Sequence, residues 1–431
     1  MRAIARSQDG THLSFRALMT TTTQQARRIT QTLFVGQSLS GAATVAMFPI
    51  FSILGARLSG RDALAGVPSM AYLLGSAFAA FGWGILMDRW GRRMTLALGM
   101  LIGAGGGAVA GAAALAGSFP AFLLGGILIG VAVAAAALSR FVAAEVHHPG
   151  QRGRAISTVV LAGTVGAIAG PLLAGPMGAL ARRAGLDELA GPFGATVALF
   201  GLGALAILLW LRPEPKELAA AIGRQTAGVT TAPPARSIRE ILSGRPALVA
   251  VLAMVLSQLV MAMLMVITPL HMRRHEHALT TISYVISVHV VGMYAFSIFS
   301  GRLADRWGRG PVIATGSAVL AAAAVGSRFS PEFFPLALSL FLIGLGWNFC
   351  YVGGSSLLAD QLSPAERART QGFNDLLIGL ASAAGSLGSG IVFAAVGFGA
   401  MGLVGAAVAL FLLSVTAWSG AGRRAAEPSL P

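Results

Sequence analysis

The sequence predicts an all-α membrane protein with twelve transmembrane helices in two pseudo-symmetric six-helix bundles. Three observations lead there. The 431 residues are 55% hydrophobic and only 11% charged, with a mean hydropathy of +0.75, outside the range of water-soluble domains. Apolar runs long enough to cross a bilayer recur along nearly the whole chain. Two blocks of the first half also return in the second, which marks a duplicated architecture.

Taken in order, residues 1–30 form a tail with Arg2, Arg6, Arg16, Arg27 and Arg28 and no apolar core, so no cleavable signal peptide is expected. Met19 is a second candidate start. The first bundle occupies 31–211, with spans at 31–54, 63–87, 94–115, 119–142, 155–180 and 191–211. A polar stretch rich in Pro, Arg and Thr, 212–245, reads as the linker between bundles. The second bundle, 246–418, has spans at 246–270, 281–303, 311–328, 332–357, 370–395 and 397–418, and 419–431 form a second tail.

Of the 31 Lys and Arg residues, 24 fall on the side of the tails and linker. Only Arg57, Arg61, Arg182, Arg183, Arg273, Arg274 and Arg328 fall on the other. The positive-inside rule then makes both termini and the linker cytoplasmic, with the bacterial inner membrane as the expected location. The net charge of +15 is thus topological, and no nucleic-acid partner is expected. The expected surroundings are the lipid bilayer and the expected state is a monomer. Cys350 is the single cysteine, which excludes an intramolecular disulfide and a cysteine-based metal cluster. No nucleotide-binding loop, nucleophile motif or catalytic dyad is present, so enzyme activity is not expected.

The repeated blocks are specific. "GILMDRWGRR" (84–93) returns as "GRLADRWGRG" (301–310), and "EVHHPGQRGR" (145–154) as "DQLSPAERAR" (360–369). The doubled G-x-L-x-D-R-x-G-R signature after spans two and eight resembles that of the major facilitator superfamily, over essentially the whole chain. The resemblance implies two bundles that rock about a midplane site. It also implies that Asp88, Arg89, Arg92, Asp305, Arg306 and Arg309 form the cytoplasmic inter-helix latch, with Glu145 and Asp360 as partners. Short glycine turns there let arginines cap helix C-termini and pair with acids. Enforcing topology is the simpler alternative role for the same residues.

In span five, Gly166, Gly170, Pro171 and Gly175 resemble the G-x-x-x-G-P motif of drug/proton antiporters, although small residues also serve ordinary packing. Gly126 stands where those exporters carry an arginine in span four, which weighs against export.

Sulfur is concentrated in span seven. Met254, Gln258, Met261 and Met265 share one helical stripe, and His289 and Met293 lie one turn apart in span eight. From the expected periplasmic ends, a rise of ~1.5 Å per residue places Met265 ~7 Å, Met261 ~13 Å, His289 ~12 Å and Met293 ~18 Å deep. Thioether with imidazole and no nearby carboxylate favours Cu(I) over hard cations. His271, Met272, His275 and His277 would then stand at the periplasmic entry. Packing is the alternative for any single methionine, such as Met263, and a solvated surface for the loop histidines. His289 has the further alternatives of an interhelical hydrogen bonder or a proton-coupling group.

Met-x-x-x-Met followed 28 residues later by His-x-x-x-Met resembles the CcoA-like branch of the superfamily. The resemblance implies that Met261, Met265, His289 and Met293 carry copper as the transported substrate, with no permanently bound cofactor. The implied activity is copper import for assembly of cbb3-type cytochrome c oxidase. The lone Cys350 departs from that branch, which also uses cysteines. The same branch includes riboflavin importers, so an organic solute stays open, as does drug/proton antiport. For such a solute Trp347, Asn348, Tyr351 and Gln37 are cavity candidates. Asp375, where the repeat has Val160, is a candidate for ion coupling or for the latch.

Overall fold

A backbone in lipid must satisfy its own N–H and C=O groups, and a chain of these apolar runs does so as helices. The computed structural model describes residues 2–148, 151–225 and 236–424, and they are helical almost throughout. Met1, Pro149 and Gly150 of the first acid–proline–arginine block, 226–235 of the expected linker and 425–431 of the expected tail lie outside the described residues.

The first bundle runs α1 (Arg2–Ser59), α2 (Val67–Trp90), α3 (Arg92–Ala116), α4 (Phe119–Ala137) continued by α5 (Ser139–Glu145), α6 (Arg152–Ala169) followed by α7 (Pro171–Arg183), and α8 (Gly191–Trp210). Two short helices, α9 (Pro215–Gln225) and α10 (Ile238–Ser243), occupy the linker. The second bundle runs α11 (Arg245–Arg274), α12 (Leu279–Tyr294) with α13 (Ser297–Trp307), α14 (Arg309–Gly326), α15 (Phe333–Ala359) and α16 (Pro364–Arg424).

Ten helical stretches among the described residues are long and apolar enough to cross a bilayer, and α6 with α7, bent by 42°, make one more. The bend falls at Gly170–Pro171, where proline supplies no N–H to the helix. The stretch Arg369–Trp418 has 50 residues. At ~1.5 Å each it would be about 75 Å long against a hydrocarbon core of ~30 Å. It breaks at Gly397, whose φ of 77° no ordinary helix contains, and is therefore spans eleven and twelve. Twelve crossings result, as the sequence predicts.

The helix of span one extends on the near side beyond the expected start at 31, with Ala26 and Ile29 buried in the core of the first bundle. Span five is two helices rather than one.

Within the first half α1 packs on α6 and α8, and α3 on α4 and α8; within the second α11 packs on α16 and α15, and α15 on α12 and α14. The halves meet through α7 on α12, α2 on α16, and α1 on α11. We call the side of the 84–93 and 301–310 blocks the near face and the other the far face. The far-face seam is backbone against backbone. A Cβ on Gly66 would lie 1.6 Å from the carbonyl oxygen of Ser386, and one on Gly175 would lie 2.7 Å from the Thr280 hydroxyl. Without a strong hydrophobic drive between helices in lipid, small residues that permit this approach are what hold such seams.

Candidate transport pathway

At the near face each half builds its own latch. α2 and α13 both end at glycines with positive φ, Gly91 (86°) and Gly308 (91°), a turn that side-chain-bearing residues rarely adopt. The turn delivers Arg92 to Glu145 (Nε to Oε2, 3.0 Å) and to Asp88 (3.2 Å), and to the Met87 carbonyl at 3.1 Å. Arg309 repeats this with Asp360 (3.2 Å), Asp305 (2.7 Å) and the Ala304 carbonyl (2.8 Å). Arg89 and Arg306 are exposed and join neither cluster among the described residues.

The linker completes both latches, a role that sequence reasoning missed. Glu214 accepts from the backbone N–H groups of Arg92 (2.5 Å) and Arg93 (3.4 Å), and Lys216 donates to the Asp88 carbonyl at 2.7 Å. On the other half Arg236 forks onto Glu366 (2.8 and 2.9 Å) and donates to the Gln361 carbonyl at 2.7 Å. Hydrogen bonds from Arg236, then from the Ser363 and Arg236 backbone N–H groups, hold the Glu366 carboxyl well below the usual carboxylate range. A capping box at Ser237 and Glu240 starts α10 beside this contact.

The far face holds ion pairs that the sequence reading counted only as loop charge. Arg273 pairs with Glu188 and Arg274 with Asp62, both across the seam, while Arg57 pairs with Asp187 at 2.6 Å and Arg182 with Glu188 inside the first half. Arg57, Asp62 and Arg273 of these pairs line a cavity of about 460 Å³ together with Ile53 and Leu270. Among the described residues, every ion pair between the two halves lies on this face. The molecule is thus locked at the far face.

The sulfur and imidazole groups are deep. Met261, His289 and Met293 are buried, and Met265 is half-buried. His289 Nδ1 bonds the Leu340 carbonyl of α15 at 2.7 Å, so Nδ1 carries the proton and Nε2 presents a lone pair that has no partner. α11 and α12 share little surface with each other; α15 packs against both. The Met261/Met265 and His289/Met293 pairs are therefore arranged around span ten rather than along one seam of neighbouring helices. Met254 is also buried, and its sulfur accepts from Ser355 (3.2 Å) and Asn374 (3.5 Å). Among the described residues no group of three or more His, Cys, Asp or Glu side chains is placed to hold a metal.

At the expected entry, His271 stacks on Phe398 (4.1 Å between ring centres) beside His275 (4.7 Å), and His277 bonds the Pro331 carbonyl at 3.0 Å. Met272, in the last turn of α11, is fully buried in this far-face-closed state.

Nearer the middle, Trp347 donates to the Gln258 side-chain oxygen at 2.8 Å, and Gln258 in turn donates to Ser382 at 3.1 Å. Tyr351 stacks on Trp347 at 4.9 Å and Tyr294 meets its edge at 6.1 Å. α11 and α12 thus meet the α15 indole directly, and α16 is joined to it through Gln258. From the first half, Gln37 presents a buried side-chain oxygen without a partner. Arg140 lies within Coulombic range of Tyr351 and of Asp375, which is exposed. Asn348 is buried and bonds the Met293 carbonyl (2.6 Å), Ser297 (2.9 Å) and Ser300, which ties α15 to both helices of span eight.

Two pseudo-repeated bundles, with polar groups between them and a seam closed at one face, define a secondary membrane transporter. The chain belongs to the Major Facilitator Superfamily, whose family model matches residues 33–276 and 250–429. It is 34% identical to the MFS-type transporter YdeG of Bacillus subtilis, over 90% of this chain and 92% of that one. It is 31% identical to the riboflavin transporter RfnT of Brucella anthropi, over 82% and 86% respectively. The solved structure of the nucleoside transporter NupG superposes with a TM-score of 0.67 at 17% identity, covering 90% of this chain and 98% of that one.

Proposed function

We propose that the protein takes up a planar aromatic solute of the flavin class across the bacterial inner membrane. The observation that carries the reading is the Trp347 centre, where an indole and a phenol ring stack beside the amide relay from Gln258 to Ser382. Stacked rings recognise a flat heteroaromatic solute by its face, and fixed amides read its polar edge. The likeness to a riboflavin transporter over most of both chains supports the same class. The near face is the cytoplasmic one, because it carries most of the basic residues. The conformation locked at the far face is then inward-facing, and Asp375 is the candidate coupling acid.

One observation favours a second reading, copper import for oxidase assembly: the bare Nε2 lone pair of His289, one turn from Met293. A neutral imidazole with thioethers is a soft donor set suited to Cu(I), and the motif spacing agrees with it.

One experiment separates them. Cells lacking their own uptake systems are given labelled riboflavin or radioactive copper, with wild type, Trp347→Ala, Gln258→Ala, Met261→Ala and His289→Ala. The flavin reading expects riboflavin uptake reduced at least tenfold by Trp347→Ala and Gln258→Ala, with copper accumulation at background throughout. Copper accumulation that depends on Met261 and His289, without riboflavin uptake, would replace it with the second reading.

A further inference from the structure

On the membrane-facing flank of the first bundle, away from the pathway, α3, α7 and α8 leave an apolar groove of about 510 Å³. Gly107 and Gly111 line it from α3, Leu180 and Ala184 from the end of α7, and Phe193 and Gly194 from the start of α8. It opens at the far-face interface and reaches down to Gly107, nine residues before α3 ends at Ala116. At ~1.5 Å per residue this is about 14 Å, the hydrocarbon depth of one leaflet of a ~30 Å core. At its mouth α7 ends on two arginines. Arg182 is committed to Glu188, whereas Arg183 is exposed and has neither ion pair nor hydrogen bond among the described residues. Arg183 directly precedes the lining residue Ala184.

We propose that this groove binds one anionic phospholipid of the far-face leaflet, an acyl chain lying along the glycines and the phosphate resting on Arg183. The depth fits a chain and not a soluble ligand, whose approach the surrounding lipid would block. The unspent guanidinium sits at headgroup level, where arginine holds phosphate through paired donors and complements a negative lipid. The charge is what selects an anionic lipid, since the groove alone would accept any acyl chain.

The test is native mass spectrometry of the full-length protein, released from micelles containing equal amounts of dioleoylphosphatidylglycerol and dioleoylphosphatidylcholine. Wild type is expected to retain one phosphatidylglycerol several-fold over phosphatidylcholine. Arg183→Gln is expected to remove that preference while leaving phosphatidylcholine retention as it was. Gly194→Leu, whose Cβ would meet nothing within 4 Å, is expected to fill the groove and lower both several-fold. Gly201→Leu is the folding control on the same helix, equally free of neighbours and outside the groove. Equal retention of the two lipids by wild type, an unchanged preference in Arg183→Gln, or an equal loss in Gly201→Leu would each overturn the proposal.

Discussion

Asp375 is exposed on span eleven and lies within Coulombic range of Arg140 of the first half. An acid in this position can exchange a proton with the near-face solution in the state seen here. Asp375→Asn is expected to abolish accumulation against a gradient while sparing exchange of labelled for unlabelled solute, a pair of measurements in proteoliposomes. Loss of both would assign the residue to binding instead. At this scale, much depends on whether partners are near in sequence. Asp88 and Arg92 are four residues apart on a repeated motif and were legible as a latch. Glu188 and Arg273 are 85 residues apart, and Glu214 and Arg92 122 apart; no local pattern marks either pair. Asn348 shows the other difficulty. A polar residue in an apolar helix announces that it has a partner, but not whether that partner is a solute or the next helix. Its neighbour Trp347 poses the same question, since its indole N–H is likewise held by a residue of another helix, Gln258.

Among the elements, the linker changed most between sequence and structure. Its proline-rich composition reads as a spacer, yet both ends are docked, Lys216 of α9 on the first latch and Arg236, just before α10, on Glu366 beside the second. The signals were present in retrospect: Ser237 and Glu240 have capping-box spacing, and Glu366 stands where the first block has Gln151. Docking at Glu366 has a definite pH dependence. Its folded pKa is depressed, so the stabilisation is complete above the ordinary glutamate value of about 4.3 and fades only as pH falls through the lowered one. Hydrogen exchange at Ile238–Ser243 is therefore expected to stay slow from pH 7 down to 4.5, and to be fast at every pH in Glu366→Gln. A transition in wild type near pH 4 to 5 would show that the carboxylate is not held. The helices themselves were legible because bilayer thickness fixes their length, and the glycine–proline step at 170–171 marked span five for a kink, though not its size.

For the whole molecule, twelve spans put both termini on one face, and the proposed orientation makes that face cytoplasmic. Cys350 helps to test it, being fully buried with its sulfur 3.7 Å from the Ser317 hydroxyl. In intact cells Arg61→Cys is expected to react with an impermeant maleimide, and Ser157→Cys only after the cells are opened. The reverse pattern would invert the topology. Two half-bundles were foreseeable from the repeat. The means of closure was not, because it consists of backbone contacts and long-range pairs. Arg273 and Arg274 keep 38% and 51% of their side-chain surface in water, and pairs this wet contribute about 0–1 kcal/mol each. The seam beneath them, at Gly66 and Ser386, admits not even a methyl group. Position 66 therefore acts as a doorstop: alanine there would prop the outer door ajar and let the carrier spend its time waiting on the wrong side, however well its binding site were preserved.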